Sequence, residues 1–263
     1  MFADYHLHSY FSDDTDFPME LEIKKAIELG MDELCFTEHS DYDVPTVVNC
    51  DYDAYFKEMQ KMKEKYRGQI VLKTGIEFGI QVHTAKAYEK TFKQYPFDFV
   101  IFSCHQVENK EYCRQQPQQG KTQLEYNRRY YQEILDVVKI YKDYSVLGHL
   151  DVIKRYDRNG EIEFEKIRDL IEKIFEVVIA DGKGIELNTS SFAYKLKSLM
   201  PSKEILQLYH DMGGKIITIG TDAHNAERVG DRILESQKIL KDIGFEGIYT
   251  FDKMKPKFHE FKF

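Results

Sequence analysis

No apolar run in the 263 residues approaches the roughly 18 that a membrane helix needs, so no membrane span is expected. The first residues, Met1-Phe2-Ala3-Asp4, lack the basic segment and apolar stretch of a secretory signal. Four cysteines, Cys35, Cys50, Cys104 and Cys113, stand at no zinc-finger or Cys-X-X-Cys spacing, the usage expected of reduced thiols in a cytoplasm. Nor is there a block of Lys and Arg. With 37 basic against 45 acidic residues the net charge is −8, which argues against binding nucleic acid through its phosphate backbone. Motifs for rival chemistries are missing too. There is no Walker loop, no Gly-X-Gly-X-X-Gly, no Gly-X-Ser-X-Gly and no His-Glu-X-X-His, and no cysteine begins a Cys-X5-Arg loop. Asp51-Tyr52-Asp53 has the outline of an aspartate phosphatase nucleophile, but no hydrophobic strand precedes it, and a helix N-terminus is the better reading.

What remains is a globular composition, 42% hydrophobic and 31% charged, patterned the same way from end to end. Short apolar runs at 2–6, 33–37, 70–76, 97–103, 145–148, 184–187 and 215–219 read as strands. Helical patterns lie between and after them at 19–29, 52–66, 84–94, 122–141, 164–180, 202–212 and 227–243. Gly30 and Gly213-Gly214 follow helices, Pro201-Ser202 opens one, and Thr122 with Glu125 forms a capping box. Successive β-then-α units with short connections predict parallel strands and right-handed crossovers. With no linker or composition shift, residues 1–263 are expected to form one α/β domain, a barrel in preference to an open doubly wound sheet. Two stretches, 40–50 and the polar 106–121, read as loops, and the length of the second suits a lid or binding loop.

Each of these strands ends on His, Glu, Asp or Asn. The segments are Asp4-Tyr5-His6-Leu7-His8, Thr37-Glu38-His39, Gly75-Ile76-Glu77, Ser103-Cys104-His105, Gly148-His149, Glu186-Leu187-Asn188 and Thr221-Asp222-Ala223-His224. In a parallel barrel those ends converge on one face, where active sites are built. Residues two apart in an extended segment share a side, so His6 pairs with His8 and Asp222 with His224. One His-X-His is equally the mark of buried core histidines. A second Asp-X-His and single imidazoles or carboxylates on the intervening strands point instead to a metal site for Zn, Mn or Fe. The candidates are His6, His8, His39, His105, His149 and His224, with Glu77, Asp222 and one of Asp13 or Asp14. His210 reads as a C-terminal helix histidine, His259 as part of a charged tail at 253–263, and His83 as a further residue that could reach the pocket. Such a donor set is too large for one ion and suits a cluster of about three sharing a bridging carboxylate, the arrangement used in phosphate ester hydrolysis.

These segments resemble the polymerase-and-histidinol-phosphatase (PHP) superfamily, and within it the bacterial histidinol-phosphate phosphatases. They match in the family's order from residue 4 to 224. The resemblance implies a distorted (β/α)7 barrel with three divalent metal ions. His6, His8, Glu77 and Asp222 would hold the first ion, and Glu77 would bridge to a second held by His105 and His149. His39, His224 and Asp14, with Asp13 as its neighbouring alternative, would hold the third. The implied reaction is hydrolysis of L-histidinol phosphate to L-histidinol and phosphate, in histidine biosynthesis, by attack of a metal-bridging hydroxide on phosphorus. Arg155 matches a family arginine that holds phosphate. A second arginine expected near Ala193 is missing, and Lys195 is the basic residue left to serve, without the bidentate geometry of arginine. The expected partner is therefore a small phosphate ester, with no nucleic acid and no membrane. A nucleotide or phosphotyrosyl substrate, and a non-catalytic metal-stabilised module, are the competing readings.

Overall fold

Strand order distinguishes a barrel from an open sheet, because a doubly wound sheet must reverse its order and a barrel need not. In the computed structural model, which describes residues 1–263, seven parallel strands lie in strictly sequential order. They are β1 (Ala3–Asp4), β2 (Glu33–Ser40), β3 (Val71–Gly79), β4 (Phe99–Ser103), β7 (Val146–Leu147), β8 (Gly184–Asn188) and β9 (Ile217–Gly220). The seam between first and last is nearly closed. Tyr5 N–H donates to the Ile219 carbonyl at 3.1 Å, His8 N–H to Ala223 at 2.9 Å, and Leu7 bridges Ala223 in parallel register.

The connecting helices are α1 (Met19–Glu28), α2 (Tyr52–Lys65), α3 (Ala85–Gln94), α4 (Gln123–Ile140), α5 (Arg168–Ala180), α7 (Lys203–Asp211) and α8 (Ile233–Ile243), with the short α6 (Ser190–Ala193) after β8. Their starts follow the side chains. Asp51 caps α2 by accepting from Ala54 N–H, Ser202 caps α7, and Thr122 with Glu125 forms the reciprocal capping box of α4. The main apolar core lies between strands and helices. A smaller one, with Tyr5, Cys35, Phe99, Ile101, Val146 and Phe251, fills the N-terminal end of the barrel. No helix is long and apolar enough to cross a membrane.

Three departures from the sequence pattern have local causes. The 227–243 pattern is broken by left-handed Gly230 and Arg232, because the Asp4 carboxylate binds Gly230 N–H and Thr221 and holds the chain in a loop there. The 164–180 pattern opens as a 3-10 turn at Phe164–Lys166 before α5. The expected charged tail is instead half of a hairpin, β10 (Gly247–Asp252) with β11 (Lys255–Glu260), turning at Lys253 and Met254, both with positive φ. That two-residue turn lacks the Asn or Gly that would mark it in sequence. In the 106–121 segment only β5 (Gln106–Val107) and β6 (Lys110–Glu111) pair, as a small hairpin.

Candidate metal centre

The strand ends converge on a cavity of about 320 Å³ at the C-terminal mouth of the barrel. His8, Asp14, His39, Glu77, His105, His149, Asp222 and His224 line it, and His6 lies fully buried beneath. Glu77, at the centre, faces both ways. Its Oε2 lies 3.2 Å from His6 Nε2 and 3.4 Å from His8 Nε2, and its Oε1 lies 2.9 Å from His149 Nε2 and 3.2 Å from His105 Nε2. Asp222 Oδ1 stands 3.4 Å from His8 Nε2 and 3.8 Å from His6 Nε2. Asp14 Oδ2 is 3.0 Å from His39 Nδ1 and 3.3 Å from His8 Nδ1. The neighbouring Asp13 also borders the cavity and has a ligand atom within 4.8 Å of those of Asp14 and His39, but its Oδ2 accepts the Val48 N–H at 2.8 Å, whereas Asp14 stands beside both His39 and His8.

The charge balance follows from this crowding. Burial raises the cost of ionising Glu77, yet His6 and His105 outweigh it and hold the carboxyl well below its usual range. Burial likewise opposes ionisation of Asp14, and His39 and His8 overcome it, holding it at about 2. Burial pulls His6 down, but Glu186 and Glu77 push it well above the usual imidazole value. Burial also opposes protonation of His105, and Asp41 and Glu77 push it up to about 9. For His8 burial wins, and its pKa falls.

Metal ions fit this donor set. His6 Nε2, both ring nitrogens of His8 and His149 Nδ1 are buried without a hydrogen bond. The His6 and His8 Nε2 atoms nonetheless stand 3.2–3.4 Å from Glu77 Oε2, close to the carboxylate without hydrogen-bond alignment. Buried polar atoms are otherwise almost always paired. Ligand atoms of His6, His8 and Asp222 lie within 4.8 Å of one another, as do those of His6, Glu77 and His149, of His8, Asp14 and His224, and of His39, Glu77 and His105. Imidazole and carboxylate without thiolate is a donor set for Zn, Mn or Fe.

The PHP domain family matches residues 4–190. The chain belongs to the PHP family. It is 32% identical over 256 residues to the histidinol-phosphatase of Lactococcus lactis subsp. lactis, covering 96% of this chain and 95% of that one. The probable histidinol-phosphatase of Thermotoga maritima is 30% identical over 244 residues, 92% of this chain and 93% of that one. A crystal structure of the Lactococcus lactis histidinol phosphate phosphatase with zinc, L-histidinol and phosphate superposes with a TM-score of 0.89 at 31% identity, over 97% of this chain and 98% of that one.

Among the other expected residues of this PHP domain, Arg155 reaches the cavity. It donates to Ser190 Oγ at 2.6 Å and to Asp222 Oδ2 at 3.2 Å, and its guanidinium lies 3.9 Å from the Tyr194 ring centroid. Lys195 and His83 do not line it. Lys195 follows Tyr194 in a left-handed conformation that leaves its side chain exposed, and it is Tyr194 that faces the cavity. His83 is exposed beyond β3 and is bonded to Asn109 at 2.9 Å. His210 does sit in the last turn of α7. His259 is half-buried and pairs with Thr250 at 2.8 Å.

Two carboxylates outside the candidate ligand set also reach the site. Glu186 Oε1 accepts from His6 Nδ1 at 2.7 Å, and its Oε2 from His149 N–H at 2.8 Å. Asp41 meets His39 Nε2 and His105 Nδ1, each at 3.1 Å. The signal for Asp41 was the two-residue spacing already used for His6 and His8. It was hidden because β2 runs on to Ser40, three residues beyond the expected strand end.

Proposed function

We propose that this PHP domain is a metal-dependent phosphomonoesterase that hydrolyses L-histidinol phosphate to L-histidinol and phosphate, a step of histidine biosynthesis. The observation that carries the reading is Glu77, a buried carboxylate with each oxygen facing a different pair of imidazoles at the barrel mouth. Three divalent ions are assigned to the surrounding donors. His6, His8, Glu77 and Asp222 would hold the first, Glu77, His105 and His149 the second, and Asp14, His39 and His224 the third. Bound ions supply Lewis acidity toward phosphoryl oxygens and a water acidified to near neutrality.

The remaining steps belong to the chain. Arg155 lines the cavity, pinned by Ser190, Asp222 and the Tyr194 ring, and so holds a fixed guanidinium there for a phosphate oxygen. Tyr112, Tyr130, Tyr156, Val152 and Ile153 form an aromatic and aliphatic wall that suits an imidazole ring. Asp13 and Glu111 put carboxylates on the same cavity for the cationic end of the substrate. Similarity to a phosphatase crystallised with zinc, L-histidinol and phosphate supports this choice of substrate.

The test is phosphate release from L-histidinol phosphate, AMP and a phosphotyrosyl peptide, with elemental analysis of the same preparation. Strong preference for histidinol phosphate is expected, and comparable turnover of all three would overturn the substrate. Asp222→Ala should abolish activity, and a fully active variant would make the metal site structural only.

A further inference from the structure

We propose that Asp41 is a positioning residue that sets the tautomers of His39 and His105 together, and so couples the second and third metal positions. This rests on the ligand assignment given above. A metal-ligating imidazole presents a lone pair on one ring nitrogen, and a carboxylate at the other nitrogen fixes which one. His105 Nε2 faces Glu77 Oε1 at 3.2 Å, so its Nδ1 is the outer nitrogen. His39 Nδ1 faces Asp14 Oδ2 at 3.0 Å, so its Nε2 is the outer one. These two outer nitrogens lie only 2.9 Å apart. Left alone, they would share one proton, and one ring would lose its fixed tautomer. Asp41 prevents this by taking each N–H on a separate oxygen, His105 Nδ1 on Oδ1 and His39 Nε2 on Oδ2, both at 3.1 Å. One carboxylate just past the end of β2 thus serves ligands of two ions.

The fold reserves the place. Asp41 N–H donates to Asn49 Oδ1 at 2.6 Å, and its side chain is 5% exposed. On the adjacent β3 the facing residue is Gly79, where a methyl group would collide with Asp41 Oδ1. Glu186 serves different donors, the His6 ring and the His149 backbone, so it does not substitute.

The experiment measures zinc per chain in buffers of fixed free zinc, for wild type and Asp41→Asn. An Asn side chain offers one oxygen and one N–H₂, so it can satisfy one ring and must oppose the other. Wild type should hold three ions. The variant should lose two of them together, with affinity about 10–100-fold weaker, and keep the first. Three ions in both proteins at equal affinity would overturn the role of Asp41. Fewer than three in wild type would overturn the ligand assignment beneath it instead. Long-range 1H–15N spectra of zinc-loaded wild type give a second readout that needs no variant. They should show His39 as the Nε2–H and His105 as the Nδ1–H tautomer, and either reversed form would overturn the proposal.

Discussion

Arg155 is held on three sides, by Ser190, Asp222 and the Tyr194 ring, at the wall of the cavity. Losing a charge-assisted contact of that kind costs about 1.5–3 kcal/mol. Arg155→Ala should therefore lower kcat/KM for histidinol phosphate by roughly 10- to 100-fold. Lys195→Ala, outside the cavity, should leave it unchanged, and steady-state kinetics on both variants checks the contrast. A second residue, Glu22 on α1, is fully buried with neither carboxyl oxygen paired. Burial, then the Glu38 and Asp4 carboxylates, push its pKa well above the usual value. With the folded pKa raised, the neutral acid favours the fold below the unfolded value of 4.5, and that contribution is lost as pH rises toward the folded one. Glu22→Gln should raise the melting temperature by roughly 2–4 °C at pH 8, with the gain shrinking toward pH 5. An equal gain at both pH values would assign it to packing.

At the scale of elements, the hairpin β10–β11 stoppers the end of the barrel opposite the site. Phe251 N–H donates to Tyr5 Oη at 2.7 Å, and its ring packs 5.0 Å from that of Phe99. Tyr5 in turn bonds Glu33 on β2, so the hairpin, β1 and β2 are joined under the barrel. Phe251→Ala should destabilise the fold by about 3–5 kcal/mol, measured by denaturant unfolding, with kcat near wild type under native conditions. A selective loss of kcat would show that the hairpin acts on the site. The sequence pattern did not reveal this element, because the lysines of β11 face solvent and its turn residues are unusual ones. The same pattern stopped β2 at Thr37, whereas the strand continues to Ser40 and carries His39 and Asp41 into the site.

Across the whole molecule, a net charge of −8 coexists with a site that gathers acidic groups and imidazoles at close range. Three divalent ions would make that site cationic while leaving the molecule acidic, so an anionic substrate meets the local charge. Without ions, protons must balance the carboxylates. Burial opposes protonation of His105, but Asp41 and Glu77 carry its pKa from 6.5 to about 9. A raised imidazole pKa stabilises the fold fully below the unfolded value, and that contribution is lost as pH rises through the folded one. Chelator-treated protein should therefore lose melting temperature between pH 6.5 and about 9. Zinc-loaded protein should stay nearly flat over the same range, because the ions replace those protons. Parallel profiles with and without chelator would argue against bound ions at this site.

The alternation of strand and helix, the capping of α2, α4 and α7, and the place of six histidines and two carboxylates at strand ends were all legible in the sequence. They depend on periods of two and 3.6 residues and on side chains reaching their own backbone, and both are local. The tertiary structure alone decided barrel closure, which needs Tyr5 and Leu7 to meet residues more than 200 positions away. It also set the surroundings of Asp13 and Asp14, because only the fold brings Val48 to Asp13 and His8 with His39 to Asp14. The same applies to the place of Arg155 on the cavity and Lys195 outside it, and to Asp41 between two imidazoles. Spacing along a chain says which residues share a face. Only contacts across strands say which nitrogen faces which oxygen.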